Sequence, residues 1–323
     1  MIAANNGSFP WRGLPTGPGL LEALAHPAGP ETDRLRLLQD RATRESIDEQ
    51  VAAGLDLVTD GLIRRADPVE PVARLLRGMR VGENRVRYPG RADPVGQPVA
   101  ESEIGWNGPI LVEDYLFASR GASRPVKVVL TGPYTIAHLA DDRAYADASS
   151  LAMALAIALN QELRALQGAG ATMIQIDEPA LIERRTDFPI FTRIWEVLGR
   201  GISATLILHL EGGGLEGLYP GLTRLKRLGG LSIDAVAGRA SLDLFRDQPL
   251  PSPIHLGLGL VDGRNETIET PEALSEQVRA AIGLPPPDRL ILGTASDLGG
   301  LPHDAALGKL KALARAARLL EQG

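Results

Sequence analysis

Short runs of apolar, β-favouring residues recur along this chain about a helix and a turn apart, and each run ends in polar residues. They are Ile2–Asn5, Leu55–Thr59, Val126–Leu130, Thr172–Ile176, Thr205–Leu208, Gly230–Ile233, Ile254–Leu260 and Arg289–Leu292. Continuous runs of this kind suit strands buried on both faces of a parallel sheet better than alternating ones would. Helical patterns fall between them: Leu20–Ala25, Thr32–Ala53 with Thr32 as N-cap and Gly54 as stop, Asp67-Pro68 to about Leu76, Ala146–Gly168, Ala180–Gly199 and Ala305–Glu321. Eight strands alternating mostly with helices predict an α/β protein with the (β/α)8 TIM barrel fold. The structural rival is an open doubly wound sheet. No Gly-x-Gly-x-x-Gly follows the first strand, so dinucleotide binding has no support.

One segment breaks the rhythm. Gly78–Ser119 is rich in Gly, Pro, Arg and Asp, with only short β-like pieces at Arg85–Tyr88 and Pro109–Val112. It reads as an excursion inserted after the second βα unit, a hairpin with loops over one end of the barrel. Loops this long are more often functional covers than neutral linkers. The whole chain, 1–323, is then one domain with an insertion at about 78–119.

Composition narrows the function. The net charge is −6 with mixed signs and no basic block, which argues against nucleic acid or an anionic membrane as partner. No run reaches the ~18 apolar residues a membrane span needs. Met1–Pro10 lacks the basic and apolar regions of a signal peptide, so a cytoplasmic location is expected. The chain has no cysteine, which removes disulfides, thiolate nucleophiles and thiolate–metal sites together. The partner expected is a small-molecule substrate, with a homodimer left open.

In such barrels the active site lies at the strand C-termini. Those ends carry Ser8, Asp60, Thr131, Asp177, Glu178, His209, Glu211, Asp234, Asp262, Ser296 and Asp297. A mouth so acidic raises some pKa values by mutual repulsion, or is neutralised by a cation. For Asp60, Asp262 and Asp297 the plainer alternative is capping of the next helix. In Asp177-Glu178-Pro179, one carboxylate can face the cavity while the other takes backbone amides or an arginine. His209 and Glu211, one residue apart on a strand end, point to the same side. With Asp234 they form a set suited either to a divalent metal (Zn, Mn or Fe) or to acid–base chemistry. His255, inside the seventh strand, reads as structural, and His138 as a weaker candidate for the mouth. Trp11 and Trp106 lie in loops that either cover the mouth or pack the excursion onto the barrel. Arg64 and Arg65 suit a substrate carboxylate or phosphate, or ordinary ion pairs.

Several of these segments, taken in order, resemble the catalytic domain of cobalamin-independent methionine synthase. They are Gly7-Ser8-Phe9-Pro10, Gly54-Leu55-Asp56 with Thr59-Asp60-Gly61, Leu130-Thr131-Gly132-Pro133, Ile174-Gln175-Ile176-Asp177-Glu178-Pro179, Val261-Asp262-Gly263-Arg264-Asn265 and Ser296-Asp297-Leu298-Gly299. The resemblance spans essentially the whole chain. It implies a (β/α)8 barrel, no cobalamin, and a site in which zinc activates homocysteine for methylation by a methylfolate, with Ser8 and Asp177 on the amino-acid part of the substrate. The departures fall on the family's working residues. Its His-x-Cys zinc pair becomes His209-Leu210-Glu211, its ligand Glu becomes Asp234, and its later Cys falls at Leu298. An amino-acid-binding Glu becomes Leu62, and the aromatic that faces the folate becomes Leu139 or its neighbour, which argues against methylfolate.

The expectation is therefore a diverged enzyme that transfers a methyl or alkyl group and acts on a small amino-acid-like or thiol substrate. Asp177, Glu178, His209 and Glu211 are its catalytic candidates; Ser8, Trp11, Asp60, Arg64, Thr131 and Asp297 bind substrate; His209, Glu211 and Asp234 are the metal candidates. It is not expected to be a true methionine synthase. The alternatives are a metal-independent lyase or decarboxylase and a non-catalytic binding protein.

Overall fold

A computed structural model describes residues 1–10, 30–91 and 93–322. Trp11 and the helical pattern at Leu20–Ala25 lie outside them.

In chain order the elements are β1 (Ile2–Ala3), α1 (Pro30–Ala53), α2 (Glu70–Leu75), β2 (Arg77–Val86), β3 (Val95–Gly105), α3 (Val112–Gly121), β4 (Val128–Thr131), α4 (Pro133–Leu139), β5 (Asp141–Asp142), α5 (Ala148–Gly168), β6 (Met173–Asp177), α6 (Ala180–Glu183), α7 (Phe188–Leu198), β7 (Thr205–Leu210), β8 (Leu228–Asp234), α8 (Ser241–Asp247), β9 (His255–Val261), α9 (Pro271–Ala280), β10 (Leu290–Thr294) and α10 (His303–Gln322). Seven strands form one parallel sheet in the order β1-β10-β9-β8-β7-β6-β4. The sheet curls so that its edges meet through Leu57 and Val58, which bridge to Ala4 and Val126. This is the TIM-barrel architecture, with the second predicted strand, Leu55–Thr59, reduced to two bridging residues.

Strand alternation sorts the apolar residues. Leu206, Leu208, Leu290 and Leu292 join the large core between sheet and helices, while Ala4, Leu57, Ile207 and Ile291 form a separate cluster inside the barrel. Above that plug the interior turns polar. Lys127, almost fully buried, donates from Nζ to Asn6 Oδ1 (2.8 Å) and Gln175 Oε1 (2.5 Å). This layer forms the floor of the mouth.

The excursion supplies the two long strands of a second, small sheet, β2 and β3, which are antiparallel, and β5, which follows α4, adds a short parallel edge to β3. Asp67 caps the preceding helix by accepting from Val69 N and Glu70 N, both at 2.9 Å, and Asp67 Oδ2 also accepts from Gly96 N in β3 (2.8 Å). Pro109–Val112 is not a strand; its end opens α3. Here Glu162 of α5, fully buried, accepts from Trp106 Nε1 (2.9 Å), Ile110 N (2.8 Å) and Leu111 N (2.8 Å). Trp106 is thus a clamp that holds the excursion to the barrel wall.

Two helix boundaries differ from the sequence expectation. The helix expected at Thr32 begins at Pro30, so Thr32 lies inside its first turn. The stretch Ala180–Gly199 is broken into α6 and α7 by a tight turn at Arg185–Asp187, and Pro189 sits in the opening turn of α7, where its missing N–H costs nothing. Among the described residues no helix is long and apolar enough to cross a membrane.

Candidate active site

The strand ends converge on one cavity of about 310 Å³, its open mouth included. Asn6, Gly7, Leu62, Pro68, Tyr88, Arg91, Asp177, His209, Glu211 and Asp297 line it. Parallel register explains part of the grouping, since Thr131 pairs with Asp177 and Asp177 with His209 on adjacent strands.

Asp177 and Glu178 point in different directions, and their surroundings differ as much. Glu178 is fully buried outside the cavity and accepts from Tyr134 N (3.1 Å) and Thr135 N (2.7 Å), the first turn of α4. A side chain on Gly132 would collide with the Glu178 carboxylate, so the Thr-Gly-Pro turn and Glu178 form one unit. Burial lifts Glu178 to about 7 against the pull of those amides. It is a helix cap, not the catalytic group expected from sequence.

Asp177 faces the cavity. Its Oδ1 accepts from Gln175 Nε2 (2.7 Å), and Gln175 is oriented in turn by Lys127 on the other side of its amide. Burial raises Asp177 to about 7, and burial lowers Lys127 to about 7 as well. A carboxyl titrating there is suited to proton transfer near neutrality.

Glu211 lines the same cavity, is 6% exposed and has no hydrogen-bond or ion-pair partner among the described residues. Burial and the neighbouring Asp177 charge push its carboxyl well above the ordinary range. Its stem packs under Gly90 at the tip of the β2–β3 excursion, where a Cβ would lie 2.7 Å from Glu211 Cγ and φ is +83°. Only glycine suits that position.

His209 bonds Ser232 Oγ through Nδ1 (3.0 Å), and burial takes its pKa down to about 3. It is a neutral imidazole and a poor base.

The expected metal set is not assembled. Asp234 is fully buried, and both its oxygens are engaged: Oδ1 with Val236 N (3.0 Å) and Ala237 N (2.8 Å), Oδ2 with Gly212 N (3.1 Å) and Arg264 Nη1 (2.8 Å). A carboxylate held in this way by four donors is a scaffold element. Among the described residues no three His, Asp or Glu side chains come together to hold an ion, and the chain has no cysteine to supply a thiolate. These donors do not fit the zinc centre that the resemblance implies.

Among the expected substrate contacts, Asp297 lines the cavity, where its Oδ1 accepts from Ser8 N (2.8 Å) and Ser8 Oγ. Its Oδ2 lies 2.8 Å from Arg91 Nη2. Asp60 is turned into an ion pair with Arg65 (3.2 Å) and accepts from Leu62 N (3.1 Å). Arg64 leaves the mouth altogether: it pairs with Asp40 and Asp114 and stacks 4.1 Å over the Phe117 ring. Thr131 sits behind Tyr88, donating to Pro68 O (3.1 Å). His138 bonds Tyr134 O (2.8 Å), away from the cavity.

Sequence reasoning missed Tyr88, Arg91, Gln175 and Lys127 as parts of the site. The signals were there: a Tyr-Pro-Gly-Arg turn within the polar excursion, and a lone Lys and a lone Gln inside runs of otherwise apolar strand residues.

A family model described as the catalytic domain of cobalamin-independent synthase matches residues 1–202. The methionine synthase of Saccharolobus solfataricus is 30% identical over 277 residues, covering 84% of this chain and 80% of that protein. The Sulfurisphaera tokodaii methionine synthase is 28% identical over 303 residues, covering 92% and 87%. Among solved structures, a B12-independent methionine synthase from Shewanella sp. W3-18-1, in complex with selenomethionine, aligns with a TM-score of 0.85 at 24% identity, covering 99% of this chain and 97% of that one. A putative vitamin-B12 independent methionine synthase from Listeria monocytogenes aligns with a TM-score of 0.73 at 16% identity, covering 99% of both.

Proposed function

This chain belongs to the cobalamin-independent synthase family through its catalytic domain, and from that premise we propose that it transfers a methyl or larger alkyl group to or from a small amine-bearing substrate, without a thiolate–zinc centre. One observation carries the reading: Asp177 and Glu211 face one buried cavity, and neither is paired with a cation that touches it. Buried carboxylates in that state call for a positive group from outside. An ammonium group supplies it, and the selenomethionine in the Shewanella relative carries one.

The acceptor in such a transfer gives up a proton as it takes the alkyl group, while the donor leaves with the electron pair of the broken bond. Asp177, titrating near 7, is the cavity residue able to take that proton. His209 serves as a neutral wall, because burial disfavours its imidazolium. Tyr88, buried beside both carboxylates and raised well above the ordinary phenol range by burial first and their charges second, remains protonated.

The test is transfer of labelled methyl from methylfolate and other methyl donors to a panel of amine-bearing thiols. Transfer by the wild type, reduced about 10²-fold or more in Asp177→Asn, is the expected result. A folded wild-type protein that methylates no amine-bearing acceptor would overturn the reading. Growth of a methionine auxotroph carrying this gene would overturn the expectation that the chain is not a true methionine synthase.

A further inference from the structure

The charges around the cavity are unequally matched. Asp297 sits in a complete carboxylate cradle made by the Ser8 amide, the Ser8 hydroxyl and the Arg91 guanidinium. Those three donors would otherwise receive a ligand's carboxylate, and a side chain of the protein already fills the place. Arg91 is also the only cation lining the cavity among its described residues. Burial disfavours the ionised forms of Asp177 and Glu211 in the empty mouth, and an entering cation favours them; once both are ionised, they and Asp297 outnumber Arg91 and Lys127 by one negative charge. A monocation brings that sum to zero. A zwitterion leaves it unchanged and brings a second carboxylate to a guanidinium that already has one.

A further detail sharpens the choice. Arg91 Nε is buried and has no hydrogen-bond partner among the described residues. An orphan donor of this kind is satisfied by a neutral oxygen at no cost in charge. We infer that the substrate is a primary amine carrying a neutral polar group, such as an amide or alcohol oxygen, where an amino acid has its carboxylate. The ammonium sits between Asp177 and Glu211, and the neutral oxygen accepts from Arg91. Asp297 then acts as a specificity-determining residue: it holds the carboxylate slot shut.

This inference rests on the amine-bearing substrate proposed above, and the experiment separates the two. Calorimetric titrations would use L-methioninamide, L-methionine and N-acetyl-L-methionine, which share one skeleton and differ in charge. The amide is expected to bind at least about tenfold more tightly than the amino acid, and the acetylated acid not to bind. In Asp297→Ala, Ser8 and Arg91 are freed and the surplus negative charge is gone, so L-methionine should gain about tenfold while the amide weakens, and the wild-type order narrows or reverses. Asp297→Asn, which keeps an acceptor for Ser8, guards against loss of fold and should show a smaller gain in the same direction. Equal or tighter binding of L-methionine by the wild type overturns the inference but leaves the amine-bearing substrate standing. If neither amine-bearing probe binds, both fall.

Discussion

Asp177 and Glu178 are neighbours at the end of one strand, yet the fold uses them in opposite ways. Glu178 gives both oxygens to the backbone amides of α4, whereas Asp177 holds one amide of Gln175 and opens into the cavity. The same division separates Asp234 from Glu211. Asp234 meets Arg264 and three backbone amides, while Glu211 meets no donor among the described residues. A carboxylate at the end of a barrel strand is therefore not a site residue by position alone. What distinguishes the two kinds is the number of donors the protein itself supplies. Where the protein supplies enough, the acid is architecture; where it supplies too few, a ligand completes the set.

The largest expected effect tests the architectural side. Asp234→Ala leaves Arg264 with Asp262 alone and orphans the amides of Gly212, Val236 and Ala237. Asp234 is fully buried but Arg264 is partly exposed, so the loss comes mainly from the orphaned amides and should amount to about 2–4 kcal/mol. Denaturant unfolding should show the loss, and a change below about 1 kcal/mol would contradict the assignment of Asp234 to the scaffold.

The opposite sign is expected at the site. Asp177 has a folded pKa of about 7, raised by burial, so its ionised form weakens the folded state. That penalty is absent below the ordinary carboxylate pKa of about 4, grows as pH rises to about 7, and is constant above. Asp177→Asn should accordingly stabilise the protein by about 1–3 kcal/mol at pH 8 and by almost nothing near pH 4. Unfolding curves at both pH values decide it: destabilisation at pH 8 would place Asp177 with Asp234, and erase the contrast.

The barrel was legible because strand runs and helical patterns alternate in periods that packing enforces. Seven of the eight expected strands match observed ones within a residue or two at each end, including Val126–Leu130 and Thr172–Ile176. The second strand was less so, because Leu57 and Val58 complete the barrel with bridges rather than a full ladder. Asp177, His209, Glu211 and Asp297 were expected at the mouth because they sit at strand ends, and all four line the cavity. Glu178 and Asp234 were misassigned for the same reason, since the sequence does not show how many amides will turn toward a carboxylate. Tyr88 and Arg91 escaped because they reach the mouth from the excursion, and only tertiary packing brings Gly90 onto Glu211.

Arg64 offers the smallest effect and the cleanest control. Adjacent to Asp60-Gly61-Leu62 in sequence, it looked suited to a substrate carboxylate, but in the fold it ties α1 to α3 through Asp40 and Asp114, with Phe117 beneath its guanidinium. Both ion pairs are partly exposed, so each contributes little, and the stacked stem supplies much of what the residue is worth. Arg64→Met keeps an apolar stem over Phe117 and should lower stability by about 1 kcal/mol or less. Binding of the amine probe should stay within about twofold of wild type, because no Arg64 atom lines the cavity. A much larger loss of binding with stability intact would return Arg64 to the site and show that α1 and α3 move against the mouth when ligand binds.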